Sequence, residues 1–553
     1  MDIYPSKAQF STNETVTLCL ICDDVLPSSV HIRVLLLSKT VWEQNIVLAE
    51  KKTTVSIGSF PATFAGYGVN VYQQGDLVKP ILQTAFDVAE SPRKLLRYGF
   101  LSDFTERDRD NGALEWLLKC HINLVQFYDW SYRHDSLVAP QEDYHDMMGK
   151  EISGSTVKAK IAKAKALGMH PTAYGAVYAA SKPFFEKHPT WAFYNSCQEP
   201  FVFIDVFYIM NIAEGSPWRK HLFKEYQNAI SMMGFSGIHM DTYGFPKTAY
   251  SHLDAIPKQI KLENELPTLI DETRENVHGE EKPYLIFNNV GAWPVQRTAD
   301  RKQDAVYIEV WPPYDRYASI AQLIRDARTY AKDDKSIILA AYLKPFREGK
   351  REKALPAARL LMGSIVSNGA THLLTGENQT ALTQGYYSDY TKFSDSEAEA
   401  IRRYYDYMIR YENLFFDPEL QDVTMTHTGW DNYEYQCTSH KVSSYGEAGK
   451  IWMILREKDY RKCIYLLNLC GQREDYWNEG KEEPDTQKDI KFTVQVDTPV
   501  ERICFSTPDG ENMDAVELPF TEKTTKTGKF IDFTVPSLNY WTTIWIDTRK
   551  ETI

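Results

Sequence analysis

The chain has 553 residues, 43% hydrophobic and 25% charged, with a formal net charge of −13 at pH 7. That length exceeds one core and requires two to four domains. The acidic balance excludes the basic footprint of a nucleic-acid partner, and with no run of 18 apolar residues no helical membrane span is expected. The start, Met1 to Lys7, lacks the basic and apolar blocks of a signal peptide. A cytoplasmic protein is expected, secretion with a removed leader being the alternative. Eight cysteines (Cys19, Cys22, Cys120, Cys197, Cys437, Cys463, Cys470 and Cys504) are scattered. The Cys19-x-x-Cys22 pair puts its sulfurs on opposite strand faces with no second pair nearby, so zinc is not expected. All eight read as mainly buried free thiols, which fits a reducing compartment.

Residues 1–92 read as β. Runs at 15–22, 30–37, 52–57, 66–72 and 82–88 alternate with polar turns, the pattern of an immunoglobulin-like sandwich. Ser91-Pro92 marks a boundary. From there to residue 418 the pattern becomes strand, loop, helix, repeated. Strands are predicted at 98–103, 122–128, 169–174, 237–241, 284–288, 305–309, 336–342 and 372–375. Amphipathic helices at 155–167, 218–233 and 320–332 lie among them. Eight such units favour a (β/α)₈ barrel. An open doubly wound sheet is the alternative, without a Gly-x-Gly-x-x-Gly or phosphate loop to support it. The strand-like run 201–208 is surplus to the count and is read as a wall of the cleft, with no role for Asp205. A helix at 394–413 closes the barrel. Residues 419–553 turn β again, at 450–455, 463–469, 492–496 and 541–546, and read as a second, antiparallel sandwich. The acidic stretch 474–488 reads as a solvated loop.

Chemistry concentrates at strand exits. In Gly237-Ile-His-Met-Asp241, Ile238 and Met240 point one way and His239 and Asp241 the other. Glu309 ends the sixth strand as Asp241 ends the fourth, and in a barrel such ends converge on one mouth. Two carboxylates over one cleft are what glycosidic cleavage needs. Glu309, among Val310, Trp311 and two prolines, is placed to hold a proton. Asp241, among His239, Thr242 and Tyr243, is placed to stay ionised. Other exits supply carboxylates and amides for vicinal hydroxyls and rings for stacking: Tyr128, Asp129, Trp130 and His134, then Tyr174, Asn288, Trp311 and Glu377. Aromatics, 13% of the chain with 34 Tyr and 12 Trp, suit such a site. Neither His-Glu-x-x-His nor Gly-x-Ser-x-Gly occurs, and no metal or organic cofactor is expected.

At these residues the sequence resembles glycoside hydrolase family 66, the endo-dextranases and cycloisomaltooligosaccharide glucanotransferases. The likeness is carried by His239-Met-Asp-Thr-Tyr-Gly244, Tyr307-Ile-Glu-Val-Trp311, the 128–134 loop and the 404–413 stretch. It extends over most of the chain and is strongest in the barrel. The resemblance implies a retaining double displacement on α-1,6-linked glucan, with Asp241 as nucleophile and Glu309 as general acid/base. Cyclising members carry an extra carbohydrate-binding module inserted in the barrel, for which the loops here leave no room, so plain hydrolysis is expected. Transglycosylation is the alternative within enzymes. A glucan-binding protein without turnover is the alternative outside them. An α-glucan is the one partner expected; oligomeric state is open.

Overall fold

The protein is described by a computed structural model over residues 1–22, 28–110, 112–429 and 431–549. It is multidomain and rich in β-structure. At the N-terminus a three-stranded sheet (Asp2–Pro5, Thr15–Ile21, Lys52–Ser59) faces a five-stranded one whose longest members are Phe64–Gln73 and Lys39–Leu48. Alternate residues of the two, such as Val16, Leu18 and Leu20 against Ile32, Val34 and Val69, share one buried cluster. That period of two is why the runs read as strands.

The central part is a barrel-like core of parallel strands. They are Tyr98–Leu101, Leu124–Phe127, His170–Ala176, Gly237–Asp241, Tyr284–Val290, Ala305–Glu309 and Ser336–Ala340, with an eighth split into Thr371–His372 and Thr375–Gly376. Thr371 pairs with Ile338 on one side and Gly376 with Phe100 on the other, so the eighth position closes the ring onto the first. Two apolar layers result. Tyr98, Ile286, Tyr307 and Ile338 fill the interior. Ile238, Met240, Val306 and Ile308 face outward to the helices.

The surplus run forms a hairpin, Val202–Phe203 against Phe207–Ile209, with Ile204 and Asp205 in left-handed conformation at its exposed turn. The closing helix runs Asp395–Arg410, capped by Ser394 and Glu397, and is followed by a short helix, Glu412–Phe415. It lies on the N-terminal sandwich, where Gly66 and Gly68 admit it: a Cβ on Gly66 would stand 1.8 Å from the Ile409 carbonyl oxygen.

The C-terminal part pairs a seven-stranded sheet with a four-stranded one around a second cluster. Two sequence expectations need correction here. The acidic stretch 474–488 is not simply solvated: Trp477 and Lys481 in it are buried, and the segment docks on the barrel. Of the eight cysteines, read as mainly buried, Cys22, Cys120, Cys463 and Cys504 are buried, three are half-buried, and Cys197 is exposed.

Candidate active site

Strand periodicity carries the two carboxylates inward. His239 and Asp241 share the inner face of the fourth strand, and Tyr307 and Glu309 that of the sixth. Between them Asn288, on the fifth strand, donates from one amide nitrogen to both: Nδ2 lies 2.7 Å from Asp241 Oδ1 and 2.9 Å from Glu309 Oε2. The two bonds cap the separation of those oxygens at 2.7 Å plus 2.9 Å, or 5.6 Å. The Tyr174 hydroxyl donates to Asp241 Oδ2 at 2.7 Å. The Tyr342 hydroxyl donates to Glu309 Oε1, and the nearby Trp311 indole helps to hold this carboxyl down. Both carboxylates border a cavity of about 910 Å³, a volume in the range of small-molecule sites.

Burial, then the charge of Glu309, pushes the Asp241 carboxyl up to about 7 against the pull of Tyr174, Asn288 and the Thr242 backbone N–H. Burial also raises Glu309, against the pull of Tyr342, Asn288 and Trp311. The expected contrast between an ionised Asp241 and a protonated Glu309 is therefore absent from their surroundings, because remote parts of the chain give each a dry setting and matching donors. What the site holds is a pair of buried carboxyls, both raised above their ordinary values, the charge of Glu309 adding to the rise of Asp241.

Most of the predicted binding residues converge on this cavity. His239 forms its floor, its Nδ1 2.7 Å from the Tyr98 hydroxyl, and burial lowers it to about 3, so it is neutral. His134 is neutral too, lowered to about 4 by burial. Tyr128, Tyr174, Tyr243, Asn288 and Trp311 line the walls. Asp129 joins them from a left-handed backbone (φ 50°). Burial, then Asp146, raises its carboxyl to about 8, with Asp241 adding and Lys150 opposing. His134 Nδ1 and Asn288 Oδ1 are buried without a protein partner, as groups awaiting a ligand hydroxyl would be. The hairpin supplies Phe203, Ile204 and Phe207 to one wall.

Two predicted residues are placed elsewhere. Trp130 is fully buried behind the wall, its indole N–H donating to the Tyr174 carbonyl at 3.1 Å. Glu377 is buried against Lys160 and the backbone N–H groups of Ser102 and Asp103, tying the eighth strand to the loop after the first. Both leave strand exits, but their side chains turn from the cavity. Tyr342 and Tyr387 were missed. Tyr342 lies two residues beyond the inward-facing Ala340, a parity the sequence offered. Tyr387 sits in the loop after the eighth strand, stacked on Tyr128 at 4.6 Å between centroids, with no local signal.

Comparison with known proteins adds to this geometry. Two proteins of Niallia circulans, each called cycloisomaltooligosaccharide glucanotransferase, are 22% and 21% identical; the matches cover 98% of this chain and 71% and 72% of theirs. The structure of a Paenibacillus sp. cycloisomaltooligosaccharide glucanotransferase complexed with cycloisomaltoheptaose superposes with a TM-score of 0.88 over 99% of both chains, at 18% identity. A noncanonic maltogenic alpha-amylase of Thermotoga neapolitana shares the fold more loosely, with a TM-score of 0.52 at 12% identity over 83% of this chain and 99% of that one. The family model for glycosyl hydrolase family 66 matches residues 5–545. With that match spanning nearly its whole length, the chain belongs to glycosyl hydrolase family 66.

Proposed function

We propose that this chain is a retaining, endo-acting hydrolase of α-1,6-glucosidic linkages in dextran or isomaltooligosaccharides, working through a covalent glycosyl-enzyme. The observation that carries the reading is the Asn288 amide shared by two buried carboxylates. One oxygen of each lies within 5.6 Å of one of the other's, which supports the close spacing of retaining pairs, roughly 5–5.5 Å, over the roughly 6.5–9.5 Å that admits a water for inversion. The linkage is supported by the relatives, whose names specify isomaltooligosaccharides. Residues 1–92 are read as an immunoglobulin-like sandwich, 93–418 as the catalytic (β/α)₈ barrel and 419–553 as an antiparallel sandwich.

Asp241 acts as nucleophile and Glu309 as acid/base. A proton on Glu309 removes the charge that raises Asp241, so Asp241 then ionises readily under its three donors; this one-proton form is the reactive one. The Asp241 oxygen bonds the anomeric carbon as the bond to the leaving O6 breaks, and Glu309 passes its proton to O6. Glu309, now charged, takes a proton from water, whose oxygen displaces Asp241 from the anomeric carbon.

Transglycosylation is the second reading, favoured by the names of both relatives. Against it, their alignments run over 708 and 712 residues while this chain has 553. The relatives thus carry stretches this chain lacks, and hydrolysis is the simpler outcome.

A digest of dextran beside starch and a β-glucan, followed in time, tests the reading. Isomaltooligosaccharides of mixed length from dextran alone, α-configured when first formed, are expected, and Asp241→Asn is expected to be inactive. First release of the β-anomer, or turnover by that variant with contaminants excluded, contradicts it.

A further inference from the structure

The two oxygens of Glu309 are not equivalent. Oε2 accepts from Asn288 Nδ2 at 2.9 Å, and the same nitrogen serves Asp241 Oδ1 at 2.7 Å. Both hydrogens of that amide are thus committed, and its nitrogen has no lone pair to accept with. A proton on Oε2 would meet an N–H head-on. Oε1 instead faces the Tyr342 hydroxyl, which donates or accepts as it turns about its C–O bond. Tyr342 therefore suits either state of the carboxyl: donor while Glu309 is charged, acceptor while Oε1 is protonated.

Tyr342 is held in that place. It follows the seventh strand, two residues beyond Ala340, and is buried. The Trp311 and Tyr387 rings stand edge-on to it, with centroids 5.6 Å and 6.1 Å away. Tyr387 is tied in turn by its hydroxyl, 2.6 Å from that of Tyr307 on the strand that carries Glu309. Oε1 is also bordered by Gly385, which lines the cavity together with Glu309 and Trp311. A Cβ on Gly385 would stand 3.3 Å from Oε1 and 3.3 Å from the Trp311 ring. That is space a glycosidic oxygen needs beside its proton donor. The backbone of Gly385 is not left-handed, so the turn itself does not call for glycine there.

We propose that Glu309 delivers its proton from Oε1, with Tyr342 as the positioning residue that directs the proton there and Gly385 keeping the path to the leaving oxygen open. The proposal rests on the glycosidase reading above and extends it. In the first step the Oε1 proton passes to the leaving O6 as the bond from O6 to the anomeric carbon breaks. The Tyr342 hydroxyl then turns to donate to the charge left on Oε1. In the second step Oε1 takes a proton from water, and the hydroxyl turns back.

The test compares kcat/KM of the full chain on dextran and on α-isomaltosyl fluoride, whose fluoride leaves with little help from an acid. In Tyr342→Phe the ratio of the dextran value to the fluoride value is expected to fall about tenfold to hundredfold, the size of a lost hydrogen bond to a charged group. In Gly385→Ala the ratio is expected to fall about tenfold, because a methyl there displaces a sugar oxygen with a chain behind it more than a single fluorine. A merely structural role would lower both substrates together. Gly385→Ala, at a half-buried loop position, keeps the test decisive should Tyr342→Phe fail to fold. A ratio within about twofold of the parent's, in either variant that melts cooperatively, would overturn the assignment. Absence of dextran turnover in the parent would remove the underlying reading and the assignment with it. Dextran turnover in the parent with the ratio unmoved in the variants removes the assignment alone.

Discussion

At the scale of single residues, the site holds its carboxylates at a cost to stability. Asp241 titrates near 7 in the fold, against 3.8 as an unperturbed carboxyl. The folded state therefore binds a proton more tightly than the unfolded one. The resulting stability is fully present below 3.8 and is lost as pH rises through about 7. Asp241→Asn keeps the shape and removes the ionisation. It is expected to unfold at higher temperature than the parent, with a gain of about 1–3 kcal/mol at pH 8 that shrinks toward zero by about pH 4. Melting curves at the two pH values check this; a gain independent of pH would show that Asp241 is not strained by its charge. The sequence disclosed that Asp241 and Glu309 face one mouth, because strand parity is local. It did not disclose their proton affinities, which depend on a shared amide and on burial by distant elements. Trp130 and Glu377 show the same limit from the other side: position at a strand exit was legible, side-chain direction was not.

At the scale of elements, the strands most legible were those with one strong pattern. The fourth and sixth barrel strands occupy the predicted residues 237–241 and 305–309. In the N-terminal sandwich the strand Lys39–Leu48 went unread, because it lies at a sheet edge with nearly every side chain partly or fully exposed, and such edges carry polar residues instead of alternation. Close approach between elements is equally hidden until the fold is known. The helix Asp395–Arg410 reaches the strand Phe64–Gln73 only because two glycines lack side chains. A Cβ on Gly68 would lie 2.4 Å from the Arg410 guanidinium carbon, and one on Gly66 would collide with backbone, which cannot swing aside. Gly66→Ala is expected to destabilise the protein by at least about 2–3 kcal/mol, as overpacking of a filled contact does. Denaturant unfolding of the variant measures it. A change below about 0.5 kcal/mol, the size of an ordinary surface substitution, would mean that helix and sandwich separate easily.

At the scale of the whole molecule, the C-terminal sheet has two buried faces. Ile451, Met453, Ile464, Leu466, Ile544 and Ile546 turn toward the four-stranded sheet. Trp452, Tyr465, Leu467, Trp541 and Trp545 turn toward the barrel and join its outer core. This explains why 450–455 and 463–469 read as nearly unbroken apolar runs: a strand covered on both sides has no face to leave polar. The same packing couples the regions. Gly363, in the barrel helix Ala354–Ser367, lies so close that a Cβ there would meet Leu467 at 2.7 Å and Trp541 at 3.1 Å. Tyr407 of the closing helix packs edge-on against Trp541, with centroids 4.9 Å apart. Barrel and C-terminal region are therefore expected to unfold together, in one calorimetric transition whose van't Hoff and calorimetric enthalpies agree. Trp541→Ala should lower that single transition by about 3–5 kcal/mol, the cost of a large aromatic cavity. Loss of glucanase activity on heating should move with it, since residues 475–478 of the same region bond the barrel at Tyr314, Asp315, Tyr317 and Lys344, just beyond the Glu309 strand. Two transitions, only one of them shifted by the substitution, would instead show a barrel that stands without its C-terminal brace.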